Sequence, residues 1–208
     1  MKSRVPNLLK QAQLEVEVKL KVRDLRRLHR DLLAIGCEKQ VDRSLERNWT
    51  WDFPGQPLRQ QGKLLRVRQF AGHCLLTFKG PVKRSRHFKV REEREMAVED
   101  AETLCVIFER LGLEVIFRYE KYRTAYSFRG HRQQYQVNLA VDETPIGNYL
   151  EIEGRQADII RVAAQLGLGG KEAFITESYL ALFAKSRLRK TQEHMVFHSG
   201  VNARVRRV

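Results

Sequence analysis

Strict alternation of apolar and charged residues is the most regular pattern along this chain. Between positions 14 and 22 every second residue is aliphatic, and the residues between them are Glu15, Glu17, Lys19 and Lys21. Period-two alternation places two such sets on opposite faces of a β-strand. One strand of this kind, taken alone, is typical of an ordinary sheet with one face in solvent.

The alternation recurs in later segments, which changes that interpretation. The polar positions are Arg66 and Arg68; Thr77 and Lys79; Lys89, Arg91, Glu93 and Glu95; Lys121 and Arg123; Gln134, Gln136, Asn138 and Asp142; and Glu151 and Glu153. Together with turn signals such as Ala71-Gly72, the pattern predicts strands at about 14–22, 40–53, 63–70, 73–80, 86–97, 114–128, 132–142 and 148–154. The sheet is therefore predicted to be mostly antiparallel, with one charged face.

Four segments with helical spacing can cover the apolar face of this sheet. They are predicted at 24–35, 101–111, 156–166 and 172–187. The fold class is α+β. If the eight strands close into a barrel, the charged faces line a lumen wide enough for one small ligand, and the helices pack outside. The alternative is an exposed sheet laced with salt bridges.

Composition narrows the class of protein and of partner. The formal net charge of +14 indicates a polyanionic partner, which is nucleic acid, an anionic membrane surface or a phosphate-rich small molecule. Residues 1–188 are predicted to form one domain, followed by a basic, flexible tail over 189–208. No apolar run is long enough for a membrane span, and the N-terminus does not have the pattern of a signal peptide. The three cysteines form no metal or disulfide pattern, so we expect reduced thiols and a cytoplasmic location.

A lumen crowded with both signs of charge is costly unless its groups are paired or bind a ligand. Arginine forks and lysine ammonium groups bind phosphate oxygens. Clustered carboxylates without His or Cys favour Mg²⁺ or Mn²⁺. Metal combined with phosphate-binding bases is the usual apparatus of phosphoryl or nucleotidyl transfer.

The ordered motifs resemble those of the CYTH superfamily, the triphosphate tunnel metalloenzymes. The first is Glu15-x-Glu17-x-Lys19, which is weak by itself because charged alternation is common. It is followed in order by Leu65-Arg66-Val67-Arg68, Leu76-Thr77-Phe78-Lys79-Gly80-Pro81, Arg91-Glu92-Glu93, Lys121-Tyr122-Arg123 and the segment 142–154. The resemblance covers about residues 14–185 and implies an eight-stranded tunnel barrel.

The resemblance also implies roles for single residues. The metal ligands would be Glu15, Glu17, Asp142, Glu151 and Glu153. The triphosphate would contact Lys19, Arg66, Arg68, Lys79, Arg91, Lys121, Arg123 and Lys185, the last on a helix around 176–185 that closes one tunnel end. Lys19 and Glu93 are the candidate catalytic residues, with Glu93 orienting a neighbouring base. The second strand departs from the family pattern through Trp49 and Trp51, which we expect to fill the outer core in preference to stacking on a ligand.

Three functions follow from these features. The first is a triphosphatase that hydrolyses tripolyphosphate, ATP or thiamine triphosphate with metal-activated water. The alternative is a class IV adenylyl cyclase that converts ATP to cyclic AMP and pyrophosphate. A non-catalytic polyphosphate-binding module ranks third, because it gives no reason for five carboxylates, and nucleic acid is disfavoured as a partner on the same ground. Homodimers through outer surfaces are common among the relatives, so a homodimer is one option here.

Overall fold

Eight antiparallel strands close into a barrel in the computed structural model, which describes residues 13–83, 85–130 and 136–197. The strands are β1 (Gln13–Val22), β2 (Glu38–Asp52), β3 (Leu64–Phe70), β4 (His73–Lys79), β5 (Lys89–Ala97), β6 (Glu114–Arg129), β7 (Gln136–Thr144) and β8 (Gly147–Glu153). Around the barrel the order is β1-β5-β4-β3-β2-β6-β7-β8, and β8 pairs back with β1. The predicted fold class is confirmed. Gln134, predicted on the seventh strand, lies outside the described residues.

Five α-helices accompany the barrel within the described residues. They are α1 (Leu25–Ala34), α2 (Pro57–Gln60), α3 (Ala101–Arg110), α4 (Gln156–Gln165) and α5 (Tyr179–Lys185), with 3-10 turns at Lys171–Ala173 and Arg187–Lys190. Asp24 and Asp100 cap α1 and α3 by accepting the backbone N–H groups of Arg27 and Thr103. Within the described ranges, the helices are all too short or too polar to cross a membrane.

The hydrophobic cores lie outside the barrel, between the strands and the helices. One core joins α1 and α4 to the outer face of β1, β6, β7 and β8. A second core joins α3 to β2, β3 and β4 and contains Trp49 and Trp51. The Trp51 ring meets Phe108 of α3 edge-on at 5.4 Å between centroids. Both tryptophans are therefore core residues, as predicted, and polar side chains line most of the inner face of the barrel, apart from an aromatic cluster at one end.

The single helix predicted over 172–187 is wrong. The chain instead forms the 3-10 turn at Lys171–Ala173, runs extended, and enters α5 at Tyr179 after the N-cap Ser178. The extended part pairs with β1, since the Lys19 N–H donates to the Ile175 carbonyl at 2.9 Å and the Ile175 N–H donates back at 2.8 Å. These two hydrogen bonds hold the segment in a strand-like conformation that helical periodicity does not reveal.

Part of the segment predicted as a tail contacts the barrel. Met195 is fully buried, and its backbone bonds both the Arg118 carbonyl at 3.0 Å and the Glu120 N–H at 2.8 Å. This contact occupies an edge of β6 beyond its pairing with β7, which begins at Tyr122. Packing thus continues past the expected boundary at 188, as far as 197. Residues 198–208 lie outside the described part of the chain.

Met195→Ala tests this contact. We expect the free energy of unfolding to fall by about 2–5 kcal/mol, the usual cost of truncating a fully buried methionine. Urea unfolding followed by circular dichroism measures it. Lys190→Ala, at an exposed position of the same segment, is the control and should stay within about 0.5 kcal/mol of the parent. Equal stability of the two variants would show that the segment does not depend on Met195.

Candidate active site

The barrel encloses a cavity of about 1300 Å³ whose walls carry a band of charged side chains. One end is covered by α5, where Tyr179 and Phe183 pack on the lumen-facing Phe117 and Tyr119. At the other end the walls include Met96 and Ala97, which are exposed. The lumen is therefore a tunnel covered at one end, with its charges in the middle.

On the β1, β4 and β5 wall, lysines alternate with glutamates. Lys79 donates to both carboxylate oxygens of Glu15, at 2.7 and 2.8 Å, and pairs with Glu93 at 2.9 Å. Lys89 and Lys19 share Glu17. Burial opposes charge on Glu17, but Lys19 and Lys89 outweigh it and hold its pKa well below the usual value. Burial also lowers the pKa of Lys89, to about 8. Glu93 contacts a base, Lys79, and its role in orienting that base stays a prediction.

On the wall formed by β2, β6, β7 and β8, two bases lie between three acids. Asp142 accepts from Lys121 at 2.9 Å and from two nitrogens of Arg123 at 2.7 Å each. Arg123 also pairs with Glu151 and lies 3.6 Å from Glu46. Burial opposes ionisation of Glu46, yet Lys121 and Arg123 lower its pKa to about 2. These bases are fixed in position by their anionic neighbours.

On the β3 wall, Arg66 and Arg68 each have an N–H donor that makes no hydrogen bond to the described residues. Arg66 donates to the Tyr119 hydroxyl at 3.0 Å and to Thr77 at 3.3 Å, and Arg68 donates to Glu95 at 3.3 Å. Among the described residues, the Nε atoms of Arg66 and Arg68 are buried without a hydrogen-bond partner. Arg91, two strands away on β5, has its Nε 3.5 Å from Glu15 Oε2. An unsatisfied buried donor costs free energy, so the two β3 arginines indicate the place of an anionic ligand.

Oxygen donors for a metal come from the carboxylates nearest to Glu153. Burial and the neighbouring Glu15, Glu93 and Glu17 raise the pKa of Glu153 to about 7. A divalent cation would relieve this repulsion, and carboxylate oxygens are the ligands that Mg²⁺ and Mn²⁺ prefer, so the residues fit such an ion. Among the described residues, no three acidic, His or Cys side chains already lie at metal-binding spacing, because lysines hold the glutamates.

Most of the predicted site residues meet in this lumen, but two of them, and one residue of the predicted charged face, do not lie where expected. Asp142 is fully buried behind Lys121 and Arg123, where it anchors bases and does not face the cavity. The Lys185 side chain is 72% exposed and pairs with Glu177, so it does not reach the phosphate-binding bases. Lys21 is also exposed, beyond the end of the charged band.

Two residues of the site were not predicted. Glu46 continues the polar alternation of Asn48, Thr50 and Asp52 on β2, a signal that could have placed it in the lumen. Tyr179 reaches Asp142 from α5, with its hydroxyl donating at 2.7 Å. No sequence periodicity indicates that contact, because it depends on how α5 is laid across the barrel end.

A closed barrel with a cationic, carboxylate-bearing lumen defines the architecture of a triphosphate tunnel. The family model described as CYTH domain matches residues 13–173, so the chain belongs to the CYTH domain family. CYTH family members are triphosphate-processing enzymes, either cyclases or triphosphatases.

Three similar proteins illustrate the family relationship. A Methanocaldococcus jannaschii protein provisionally named an adenylate cyclase is 27% identical over 180 residues, which is 81% of this chain and 98% of that protein. A Vibrio parahaemolyticus structure, also provisionally named an adenylate cyclase, is 24% identical with a TM-score of 0.71, covering 84% of this chain and 99% of its own. A Pyrococcus furiosus structure described as a conserved hypothetical protein is 28% identical with a TM-score of 0.63, covering 81% and 99%.

Glu153→Gln tests the carboxylate repulsion through the pH dependence of stability. The pKa of Glu153 is higher in the folded protein, about 7, than its ordinary value of 4.5. The folded state therefore binds the Glu153 proton more tightly than the unfolded state does. The stabilisation that results from this proton is present at low pH and is lost as the pH rises through 7. Since glutamine does not titrate, the variant should gain about 2–3 kcal/mol relative to the parent between pH 5 and pH 8.

Urea unfolding of metal-free protein at the two pH values measures this gain. Glu109→Gln, at an exposed position of α3, is the matched control and should show the same difference from the parent at both pH values. A Glu153→Gln variant that also kept a constant difference would contradict the repulsion inferred here.

Proposed function

We propose that this protein is a divalent-metal-dependent triphosphatase that binds a linear triphosphate in the charged band and hydrolyses a phosphoanhydride bond. The observation that carries the proposal is the pair of Nε atoms on Arg66 and Arg68 that are buried in the lumen without a hydrogen-bond partner among the described residues. Two such guanidinium donors, with the Arg91 guanidinium two strands away on β5, match an anionic ligand with several phosphate oxygens. The same lumen also contains the lysines and carboxylates that the reaction requires.

Each group has a role that follows from its contacts. Arg66, Arg68, Arg91, Lys79 and Lys19 bind the phosphate oxygens, with Lys19 and Lys79 oriented by Glu151 and Glu93. Lys121 and Arg123, fixed by Asp142, stabilise the charge that develops on the transferred phosphoryl group. Glu15, Glu17, Glu151 and Glu153 would hold Mg²⁺ or Mn²⁺, which supplies charge neutralisation and an acidic bound water. The lumen walls orient the triphosphate for attack along the tunnel axis.

Cyclisation of ATP is the second candidate, and two observations favour it. The cavity of about 1300 Å³ is larger than the roughly 300–1,000 Å³ of common small-molecule sites, so it has room for a nucleoside as well as a triphosphate. The M. jannaschii relative is provisionally named an adenylate cyclase. In this reaction the ribose 3′ hydroxyl attacks the innermost phosphorus and pyrophosphate leaves. The same bases would bind the triphosphate, shifted along the tunnel.

Product analysis with purified protein, Mg²⁺ or Mn²⁺, and either tripolyphosphate or ATP distinguishes the two reactions. We expect orthophosphate release, and we expect Arg66→Met to lower kcat/KM by about 10²-fold, the usual loss for one transition-state donor. Arg110→Met, an exposed arginine on α3, is the control and should leave the rate unchanged. Cyclic AMP as the dominant product from ATP would overturn the triphosphatase assignment.

Double substitution of Glu151 and Glu153 by Gln separates catalysis from simple polyanion binding. If these carboxylates hold the metal, the variant loses turnover together with the part of tripolyphosphate affinity that depends on Mg²⁺, as titration calorimetry with and without the ion would show. A polyphosphate-binding module would instead bind more tightly after two negative charges are removed, with affinity that falls steeply with salt and no turnover in the parent.

A further inference from the structure

Tyr179 contacts the phosphate-binding wall from the helix that covers the tunnel end. Its side chain is buried, and its hydroxyl donates to Asp142 Oδ2 at 2.7 Å. Its ring lies against two ammonium groups, with the Lys121 Nζ 4.9 Å and the Lys19 Nζ 5.3 Å from the centroid. Cations at these distances are attracted to the face of an aromatic ring. One side chain of α5 thus contacts two candidate phosphate-binding bases and the carboxylate that anchors one of them.

The Asp142 carboxylate links the Tyr179 hydroxyl to the two bases Lys121 and Arg123. The oxygen that accepts from Tyr179 also accepts from Lys121 at 2.9 Å and from Arg123 at 2.7 Å. Since Asp142 is fully buried, its carboxylate is oriented by these donors and not by water. If one donor is removed, the Asp142 carboxylate and the two remaining donors can move to new positions.

The segment before α5 is held by β1, which is separated from β7 by β8. Ile175 exchanges two backbone hydrogen bonds with Lys19, whose ammonium lies under the Tyr179 ring. The cover of the tunnel is therefore attached to β1 through its backbone and to β7 through Tyr179. Ser178 begins the helix by accepting the Ala181 N–H, which fixes the direction in which Tyr179 points.

We propose that Tyr179 is a positioning residue for the triphosphate site. Its hydroxyl fixes the Asp142 carboxylate and so aligns Lys121 and Arg123, and its ring restrains the Lys19 and Lys121 ammonium groups. The packing of α5 on the barrel end and the alignment of the phosphate-binding bases therefore occur together. The inference rests on the proposed function for the identity of the ligand, but its test uses binding as well as turnover.

Tyr179→Phe removes the hydroxyl and keeps the ring. We expect the Kd for tripolyphosphate, measured by calorimetry with Mg²⁺, to rise about tenfold, as for loss of one hydrogen bond to a charged group. Tyr179→Leu, which also removes the ring, should weaken binding further. If the parent turns over, kcat should fall more than KM rises, because Lys121 and Arg123 act on charge developed in the transition state. The matched control is Tyr149→Phe, on the ring that packs edge-on against Tyr179 at 5.7 Å, and it should bind as the parent does.

A double-mutant cycle with Asp142→Asn shows whether the hydroxyl acts through Asp142. Coupling predicts that Tyr179→Phe changes Kd little once Asp142 is replaced, whereas independent effects would multiply. Thermal unfolding checks that each variant folds, and Lys121→Met takes the place of Asp142→Asn if that variant does not. The proposal is overturned if Tyr179→Phe binds as the Tyr149→Phe control does, or if the effects multiply. If the parent protein binds tripolyphosphate without turnover, the triphosphatase assignment is refuted. The double-mutant cycle then still tests the positioning role of Tyr179, because it is measured by binding.

Discussion

Ionised side chains inside a closed barrel are stabilised by opposite charges, and this constraint governs the rest of the molecule; Glu153, whose pKa is raised to about 7 by burial and by Glu15, Glu93 and Glu17, is the exception. The lumen meets it by interleaving bases and acids between neighbouring strands, as where Lys79 bridges Glu15 and Glu93. Removing one partner of a buried ion pair would leave an uncompensated charge. The free-energy cost of that charge is far larger than the net stabilisation that the pair contributes. The lumen is thus stable before any ligand arrives and has guanidinium donors left over for one.

The position of the hydrophobic cores follows from the same constraint. Because the inner face is committed to charge, apolar side chains on all eight strands point outward and need helices to cover them. α1, α3 and α4 do so, and the two outer cores share no helix. Trp51 on Phe108 and Val18 in the α1 core stabilise the wall from behind while the lumen side of the same strands binds charge.

Period-two alternation predicts the strands and most of the lumen-facing residues, because it states directly which face each residue occupies, whereas the closure of the sheet into a barrel is implied by the family resemblance. The alternation placed Lys19, Arg66, Lys79 and Arg123 correctly for this reason. The alternation does not reveal depth, so it gives no reason to doubt the metal role that the resemblance implies for Asp142, which lies behind two bases. It also gives no information on contacts made across the barrel end, where the resemblance implies a phosphate contact for Lys185 and where Tyr179 instead reaches Asp142. The segment 174–178 was assigned to a helix because two backbone hydrogen bonds to Lys19 have no periodic signature.

The cover formed by α5 determines through which end of the tunnel a ligand enters and leaves. With Tyr179 and Phe183 across one end, a ligand enters and leaves through the end where Met96 and Ala97 are exposed. The triphosphate proposed as the ligand would therefore enter end-on, with any group attached to its trailing phosphate nearer to solvent. Under the proposed hydrolysis, a fragment formed at the inner end would leave only after the outer fragment, so the covered end would set the order of product release.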